Sequence, residues 1–373
     1  MLKRKRSFVL LLACLFMLAI LVVGCGGNEP TGDNADNGNN GDAAQDEPVI
    51  GMVIKYPGAP FVQAFINGAE TKAAELGMRV EVKDGQADSL TIMDIMDNFI
   101  TQEVDGFIMA GAVDLKAIVP GVERLNEAGI PIIALDTSPE GGVVDMFISF
   151  DIEKSSAQAA EAFIQGIKDR NDGEVPEGVV IEITGSLEDM FAQACNEGFM
   201  SVVGEYPQLT VVQGEGKWNN VDSNERASDL LTRHGDDVLG IYVHTPDIMG
   251  PGVVSAIEAA GREAKDYGIT GICMGPEGLE LIEEGKILAI VGQPALASAE
   301  LAVEYLYNII NDLPIPQVGD TVEREGELWS PAEVIENPWA EGAFMVLQGP
   351  LVPTEVGTDD PRLWENKLSD LWK

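Results

Sequence analysis

From residue 48 onward the chain alternates short apolar runs with longer amphipathic segments. The first run, Val49 to Ile54, ends at Pro57-Gly58, and apolar residues then recur at every fourth position from Phe61 to Ala73. A short apolar run between turn residues is typical of a strand buried on both faces, and the fourfold spacing predicts a helix that covers the sheet. Gly77 is placed to end that helix.

The same alternation recurs in two series as far as residue 293. Helices of ten or more residues between consecutive strands imply right-handed βαβ crossovers and parallel sheets. The pattern therefore predicts an α/β fold with two Rossmann-like lobes, whose βα loops face a shared cleft. The predicted strands are 49–54, 80–82, 106–110, 130–135 and 147–150 in the first series, and 179–183, 209–212, 239–243, 269–273 and 287–291 in the second.

The chain is expected to cross between the lobes more than once. A helix predicted at 296–311 returns to the first lobe, 314–338 is expected to be irregular, and a strand at 344–347 precedes a terminal amphipathic helix at 363–372. Such crossings would form a multi-strand hinge that closes over a ligand. The expected boundaries are 48–150 with 294–325 for the N-terminal lobe, 151–293 with 340–354 for the C-terminal lobe, and 355–373 for a C-terminal helical extension.

The N-terminus carries an export pattern. The basic run Lys3 to Arg6 precedes an apolar run, Phe8 to Val23, that is shorter than the roughly 20 residues a spanning helix needs. The sequence from Leu21 to Cys25 resembles a bacterial lipobox. We therefore expect residues 1–25 to be a lipoprotein signal peptide with lipidation at Cys25, the alternative being an uncleaved signal anchor.

Residues 26–47 are rich in Asp, Asn, Gly and Ala and bury too little apolar surface to fold, so they are predicted to be an acidic flexible tether. A lipid anchor with such a tether would hold a folded body outside the cell, at the outer face of the cytoplasmic membrane.

Charge and rare residues narrow the function further. A formal net charge of −39 makes nucleic acid a poor partner, although it also fits adaptation of the surface to salty or alkaline surroundings. In the part expected to fold, Cys195 and Cys273 could form one disulfide or stay as two buried free thiols, and the second alternative is favoured. With two histidines and no Cys-x-x-Cys pair, neither a metal site, a cofactor nor a Ser-His-Asp triad is predicted.

Four short motifs carry a family resemblance. They are Pro60-Phe61 after the first strand, Leu135-Asp136 at the end of the fourth, Asn196 to Phe199, and Glu284 to Lys286 before the strand that ends at Gln293. Together they resemble the ribose-binding (type I periplasmic binding protein) family, in its lipid-anchored form that serves an ABC importer. The resemblance implies a monomeric, non-catalytic receptor that captures a small neutral sugar or polyol and delivers it to permease subunits.

The resemblance also implies roles for four residues. Phe61 and Trp218 fall where aromatic rings stack on the sugar. Asp136 falls where a carboxylate accepts hydrogen bonds from two hydroxyls, and Gln293 where a hinge amide binds another. The alternatives are a helix staple for Phe61, lobe packing for Trp218, and a turn or helix cap for Asp136.

Several positions depart from the family. Gln193 stands where sugar binders carry an arginine, Pro246-Asp247 where they carry Asn-Asp, and Cys273 where they carry an aspartate. Because an unpaired buried polar group costs about 1–3 kcal/mol, fewer polar anchors favour a smaller or less hydroxylated ligand. A short polyol, a deoxy-sugar or a furanose-like signalling molecule would fit. Tyr56, Met190 and Asp247 are further candidates for the lining.

Two other functions compete with transport. A protein of the same fold could pass its ligand-bound state to a membrane kinase as a sensory receptor. An anchored glycosidase is the third possibility, but no motif places two carboxylates across a site.

Overall fold

The computed structural model describes residues 47–111 and 114–372. The expected signal peptide, its lipidation site Cys25 and almost all of the tether therefore lie outside the described residues. Within the described ranges no helix has both the length and the apolar character needed to cross a membrane.

The elements follow one another in βα alternation through most of the chain. The strands are β1 (Val49–Ile54), β2 (Arg79–Asp84), β3 (Gly106–Ala110), β4 (Ile132–Leu135), β5 (Val143–Phe150), β6 (Gly178–Thr184), β7 (Leu209–Glu215), β8 (Val238–Val243), β9 (Thr270–Ile272), β10 (Ala289–Val291), β11 (Thr321–Val322), β12 (Ala332–Glu336), β13 (Glu341–Leu347) and β14 (Leu351–Val352). The helices are α1 (Pro60–Glu75), α2 (Ser89–Thr101), α3 (Val119–Ala128), α4 (Ile152–Arg170), α5 (Met190–Val203), α6 (Asn220–His234), α7 (Pro246–Ala259), α8 (Pro276–Glu283), α9 (Ala295–Ile310) and α10 (Trp364–Lys367).

Two sheets define two lobes. The first has the strand order β11-β12-β13-β5-β4-β3-β1-β2, and all neighbours from β13 to β2 are parallel. The second has the order β14-β10-β9-β8-β6-β7 and is parallel except at β14. This architecture confirms the predicted fold class of two Rossmann-like lobes with parallel sheets.

The apolar runs are continuous because helices cover both faces of each sheet. In β1, Met52 packs in one core cluster and the next residue, Val53, packs in another. Successive side chains of a strand point to opposite faces, so both residues must be apolar when both faces are covered. Gly77 has φ +68 just after α1, as expected for a helix-ending glycine.

The end of the chain differs from the prediction in two respects. Residues 340–354 were expected in the C-terminal lobe, but β13 pairs with β5 over its whole length and so belongs to the first sheet; only β14 joins the second. The segment 314–338, expected to be irregular, contains β11 and β12 at the edge of the first sheet. An apolar run shows that a strand is buried, but not which sheet edge accepts it.

The terminal helix is also shorter than expected. The segment 363–372 forms only α10 and a 3₁₀ turn at Ser369–Leu371. A helix of one turn is not stable by itself, so α10 depends on the side chains that pack around it.

Three segments of the described chain cross between the lobes. They are residue 151 between β5 and α4, residues 292–294 between β10 and α9, and residues 348–350 between β13 and β14. The Gly292 amide donates to the carbonyl of Pro350 over 2.9 Å, which joins two of the crossings. The lobes are therefore linked by three neighbouring chain segments rather than by one flexible linker.

Candidate ligand-binding cleft

The carboxyl ends of the strands of both sheets face a cleft between the lobes. A cavity of about 340 Å³ lies there. Its wall includes Asp136 and Trp339 from the first lobe and Met190, Phe191 and Gln193 from the second. The structure thus brings three predicted site residues, Asp136, Met190 and Gln193, to one cavity.

Asp136 follows β4 with φ +67, is partly buried, and lines the 340 Å³ cavity. Burial raises the pKa of Asp136 to about 6; the charge of Lys55 opposes this shift, the charge of Asp189 adds to it, and a hydrogen bond from Gln293 opposes it. That bond runs from Nε2 of Gln293 to Oδ1 of Asp136 over 3.3 Å. With one side-chain donor among the described residues, the carboxylate keeps capacity to accept hydrogen bonds from a ligand.

Tyr56 lies close to acidic groups of both lobes. Burial raises the pKa of its hydroxyl to about 12, and the charges of Asp136 and Asp189 add to the effect. Asp189 caps α5, where its carboxylate accepts from the Phe191 amide over 2.9 Å. Asp189 and Lys55 were not predicted as cleft residues, although each directly precedes a predicted one. Lys55 precedes Tyr56, and Asp189 precedes Met190.

Trp218 forms an aromatic platform on the second lobe. Its ring covers Gly185 so closely that an added Cβ there would lie 1.9 Å from Cζ2 of the indole. Phe191 packs against it edge-on, with the ring centroids 5.7 Å apart. The indole Nε1 is buried and has no partner among the residues described.

Phe61 occupies a different setting. It is half-buried on the core of the first lobe and meets Phe65 edge-on, with the centroids 5.7 Å apart. Across the described residues Phe61 and Trp218 make no ring contact with each other. A sugar sandwiched between these two rings therefore stays a prediction.

A buried network of polar side chains lies next to Trp218 in the second lobe. The His244 ring is fully buried; its Nε2 lies 2.8 Å from Oε1 of Glu182, and its Nδ1 accepts from the Gly185 amide over 3.3 Å. Since Nδ1 is an acceptor, the proton of the ring is on Nε2 and is donated to Glu182. The side-chain amides of Asn196 and Gln213 also donate to that carboxylate.

The hydrogen bonds decide the charge of Glu182. Burial alone would raise its pKa, but the hydrogen bond and electrostatic attraction of His244, with the bonds from Gln213 and Asn196, outweigh burial and hold the pKa below its usual range. Sequence reasoning missed this network. The available signal was a glutamate inside the apolar run Val179 to Ile183, because a buried charge requires partners.

Asp247 is not among the residues that line the 340 Å³ cavity, and its place in the ligand site stays a prediction. It is buried, and Oδ1 accepts from the Gly278 amide over 3.2 Å at the start of α8. Burial raises the pKa of Asp247 to about 7, against the lowering effect of that backbone bond. The side chain fills the space above Gly275, where an added Cβ would lie 2.2 Å from its Cγ. These contacts describe a helix cap.

The two cysteines of the folded part are free and buried. Cys273 directly follows β9 and has φ +61, and burial raises the pKa of its thiol well above the usual value, with the charges of Cys195, Asp136 and Asp247 adding to the shift. Gln193 donates from Nε2 to the carbonyl of Leu187 over 3.3 Å. In the described ranges no group of three or more His, Cys, Asp or Glu side chains could hold a metal ion.

Two hinged α/β lobes with polar and aromatic groups at facing strand ends define a solute-binding protein of the periplasmic type. The family model described as "Periplasmic binding protein domain" matches residues 50–313, and the chain belongs to that family, as predicted. The ribose import binding protein RbsB of Bacillus subtilis (strain 168) is 26% identical over 308 residues, covering 83% of this chain and 94% of that protein.

Other relatives and solved structures agree with this placement. The D-ribose/D-allose-binding protein of Pseudomonas aeruginosa is 26% identical and covers 79% of this chain and 90% of its own length. A carbohydrate transporter solute-binding protein from Agrobacterium radiobacter, in complex with D-arabinose, superposes with a TM-score of 0.70 at 19% identity, covering 86% of this chain and 99% of its own. A Bacillus halodurans solute-binding protein with bound myo-inositol has a TM-score of 0.64 at 24% identity, covering 82% and 95%.

Proposed function

We propose that this protein is the solute-binding component of an ABC importer and binds a small neutral sugar or polyol between its lobes. The observation that carries the proposal is the Asp136 carboxylate, which lines the cleft with one side-chain donor among the described residues, Gln293. A carboxylate in this setting suits a ligand that presents hydroxyl donors. Two curated relatives are named as import binding proteins, for ribose and for D-apiose, and a third as a D-ribose/D-allose-binding protein, which favours transport over sensing and over catalysis.

The charges around the cleft argue against an anionic ligand. Asp136 and Asp189 lie close enough to raise the pKa of Tyr56 by their charges, and Lys55 already balances Asp136. An anion would meet net repulsion in a partly dehydrated space, where charge interactions are stronger than in water. A neutral ligand with several hydroxyls could donate to the carboxylates and accept from unused donors.

Two buried donors have no partner among the described residues, and one of them lines the cleft. Thr137 Oγ1 and Trp218 Nε1 are buried and lack partners among the described residues, and Thr137 lines the 340 Å³ cavity. Leaving such groups unpaired is unfavourable, so they select ligands that can bond to them. Because Gln193 and Cys273 replace charged anchors, a pentose or a short polyol suits this cleft better than a hexose.

The location follows from the proposed role. The family is extracytoplasmic, and Cys25 is the residue at which we propose a lipid anchor to the outer face of the cytoplasmic membrane, with the body acting as a monomer beside permease subunits. Expression in a bacterial host with labelled fatty acid tests the anchor. Label should enter the wild-type protein and be absent from C25A; equal labelling of both would contradict it.

A ligand screen on the body from residue 47 tests the function. Thermal shift with pentoses, hexoses, polyols, nucleosides and amino acids should show a saturable rise in melting temperature for one sugar or polyol, confirmed by calorimetry. The ligand recovered afterwards should be chemically unchanged. A response to amino acids alone, or conversion of the sugar to a product, would refute the proposal.

A further inference from the structure

The C-terminal extension packs on both lobes. We call residues 356–372 the C-terminal strap. Val356 and Leu363 belong to the hydrophobic cluster of the second lobe, whereas Trp364 belongs to the main cluster of the first. Leu368 and Trp372 extend the first-lobe contact, and the rings of Trp364 and Trp372 meet edge-on with centroids 6.2 Å apart. The strap therefore spans the two lobes beside their hinge.

The strap is hydrogen-bonded to one hinge crossing. The indole Nε1 of Trp364 donates to the carbonyl of Gln293 over 2.9 Å, and both residues are buried. The side chain of the same Gln293 donates to Asp136 over 3.3 Å. Two hydrogen bonds thus connect the strap, through one hinge residue, to the carboxylate that lines the cleft.

Among the described residues, Gln293 receives one side-chain hydrogen bond on its carbonyl, from the Trp364 indole. Its carbonyl also accepts from the Ala295 amide two residues away, which is a bond within the turn itself. The indole of Trp364 therefore adds an anchor from the strap to the one that this carbonyl has at the start of α9.

We infer that Trp364 is a positioning residue of the ligand site, which holds the Gln293 peptide in the hinge so that the Gln293 amide faces Asp136. The inference rests on the proposed function for its consequence, ligand affinity. A peptide unit fixed at its carbonyl also fixes the direction of the side chain that leaves its Cα. Without the indole donor the Gln293 side chain can turn from Asp136, and the first-lobe half of the site is no longer preorganised.

The competing role for Trp364 is core filling by the ring alone. The two roles separate because one requires the N–H group and the other only the ring. Trp372 is a matched control, since it lies in the same strap, contacts the same cluster, and has a buried Nε1 without a partner in the described chain.

The first experiment compares W364F with W372F by calorimetry, using the sugar or polyol found in the screen. Both variants lose some ring packing and should melt at similar, slightly lower temperatures. W364F should weaken binding about fivefold, the loss expected for one buried hydrogen bond, and W372F should stay within twofold. Equal dissociation constants for both variants would overturn the inference.

The second experiment needs no ligand and follows the titration of Asp136 by NMR of its labelled side-chain carbon. The hydrogen bond from Gln293 lowers the pKa of Asp136, so W364F should raise this pKa, Q293A should raise it at least as much, and W372F should leave it unchanged. An unchanged pKa in W364F would refute the positioning role even if the screen found no sugar.

Should W364F fold poorly, benzothienylalanine can be placed at position 364. This analogue keeps the bicyclic ring and replaces the N–H by sulfur, so it removes the donor with little change of shape. The same rise in the pKa of Asp136 is expected, and a wild-type titration curve in this variant would refute the inference.

Discussion

Burial acts to raise the pKa of one carboxylate in each lobe, and the two carboxylates behave in opposite ways. Glu182 of the second lobe accepts from His244, Asn196 and Gln213, and its pKa is lowered despite burial. Asp136 of the first lobe has one side-chain donor among the described residues, and burial raises its pKa to about 6. The comparison shows that hydrogen bonding, not burial, separates a structural carboxylate from one that remains available to a ligand.

Corresponding loops of the two lobes show the same contrast. Gly185, after β6, lies under the Trp218 ring with no space for a Cβ, whereas Gly58, after β1, has no heavy atom within 4 Å of the position that a Cβ would take. The second lobe therefore presents a prepacked aromatic platform on a satisfied polar network. The first lobe presents polar groups with unused capacity, and it relies on the hinge to orient them.

The largest expected effect comes from breaking the satisfied network. E182Q keeps the shape of the side chain, but its amide group places a donor opposite the N–H groups from which Glu182 now accepts hydrogen bonds. We expect it to lower the free energy of unfolding by about 3 kcal/mol, because a buried network loses one ionised partner. Urea denaturation at pH 7 measures this loss.

The pH dependence of the E182Q effect follows from the direction of the Glu182 pKa shift. A carboxyl whose folded-state pKa lies below its unfolded value stabilises the protein above the unfolded pKa, and this contribution is lost as the pH falls through the folded pKa. The difference in free energy of unfolding between wild type and E182Q should thus become smaller below about pH 4. Substitution of the exposed Glu205 by Gln is the control and should change stability little; a similar loss in both variants would remove the contrast with Asp136.

A change at Asp136 should affect binding more than folding. D136N keeps the size of the side chain but removes the charge that strengthens bonds to ligand hydroxyls. Binding of the sugar or polyol should weaken about thirtyfold, on the order of 2 kcal/mol, measured by calorimetry at pH 8. Unchanged affinity would show that the ligand site has been placed wrongly.

Stability should change in the other direction. The folded pKa of Asp136, about 6, lies above its unfolded value, so the wild type loses stability as the pH rises from about 4 through 6. Unliganded D136N escapes this loss and should be about 1 kcal/mol more stable than wild type at pH 8, with the difference vanishing near pH 4. A pH-independent difference in melting would contradict the assigned titration.

The sequence was sufficient for the fold because periodicity records burial. The run Gly106 to Ala110 is a strand with the predicted limits, and Asp136 and Gln293, named from a resemblance, are hydrogen-bonded to each other. Periodicity contains no information on sheet partners, so β13 was placed in the wrong lobe.

The parts of the cleft that sequence reasoning missed depend on long-range contacts. Glu182 and His244 are 62 residues apart, and Trp364 reaches Gln293 across 71. In a chain with 62 acidic residues, Asp189 does not differ locally from the others, and the apolar run around Glu182 indicates burial without indicating its partners. Only the fold shows that Glu182 is enclosed by donors and that Asp189 faces Tyr56.

The smallest effect is expected from alanine substitutions that compare the loops of Gly185 and Gly58. They test whether the Trp218 ring is already packed in place before the ligand binds. In G185A the new methyl group would lie within 2 Å of the Trp218 ring, so the ring must move away from the second-lobe surface. Affinity for the ligand should fall about tenfold, because the platform loses both its position and its contact with the main chain. Near-ultraviolet circular dichroism should report the altered tryptophan environment. G58A, at the open loop of the first lobe, should bind within twofold of wild type. If G58A and G185A weaken binding equally, the second lobe is no more preorganised than the first, and the difference between the lobes lies only in their carboxylates.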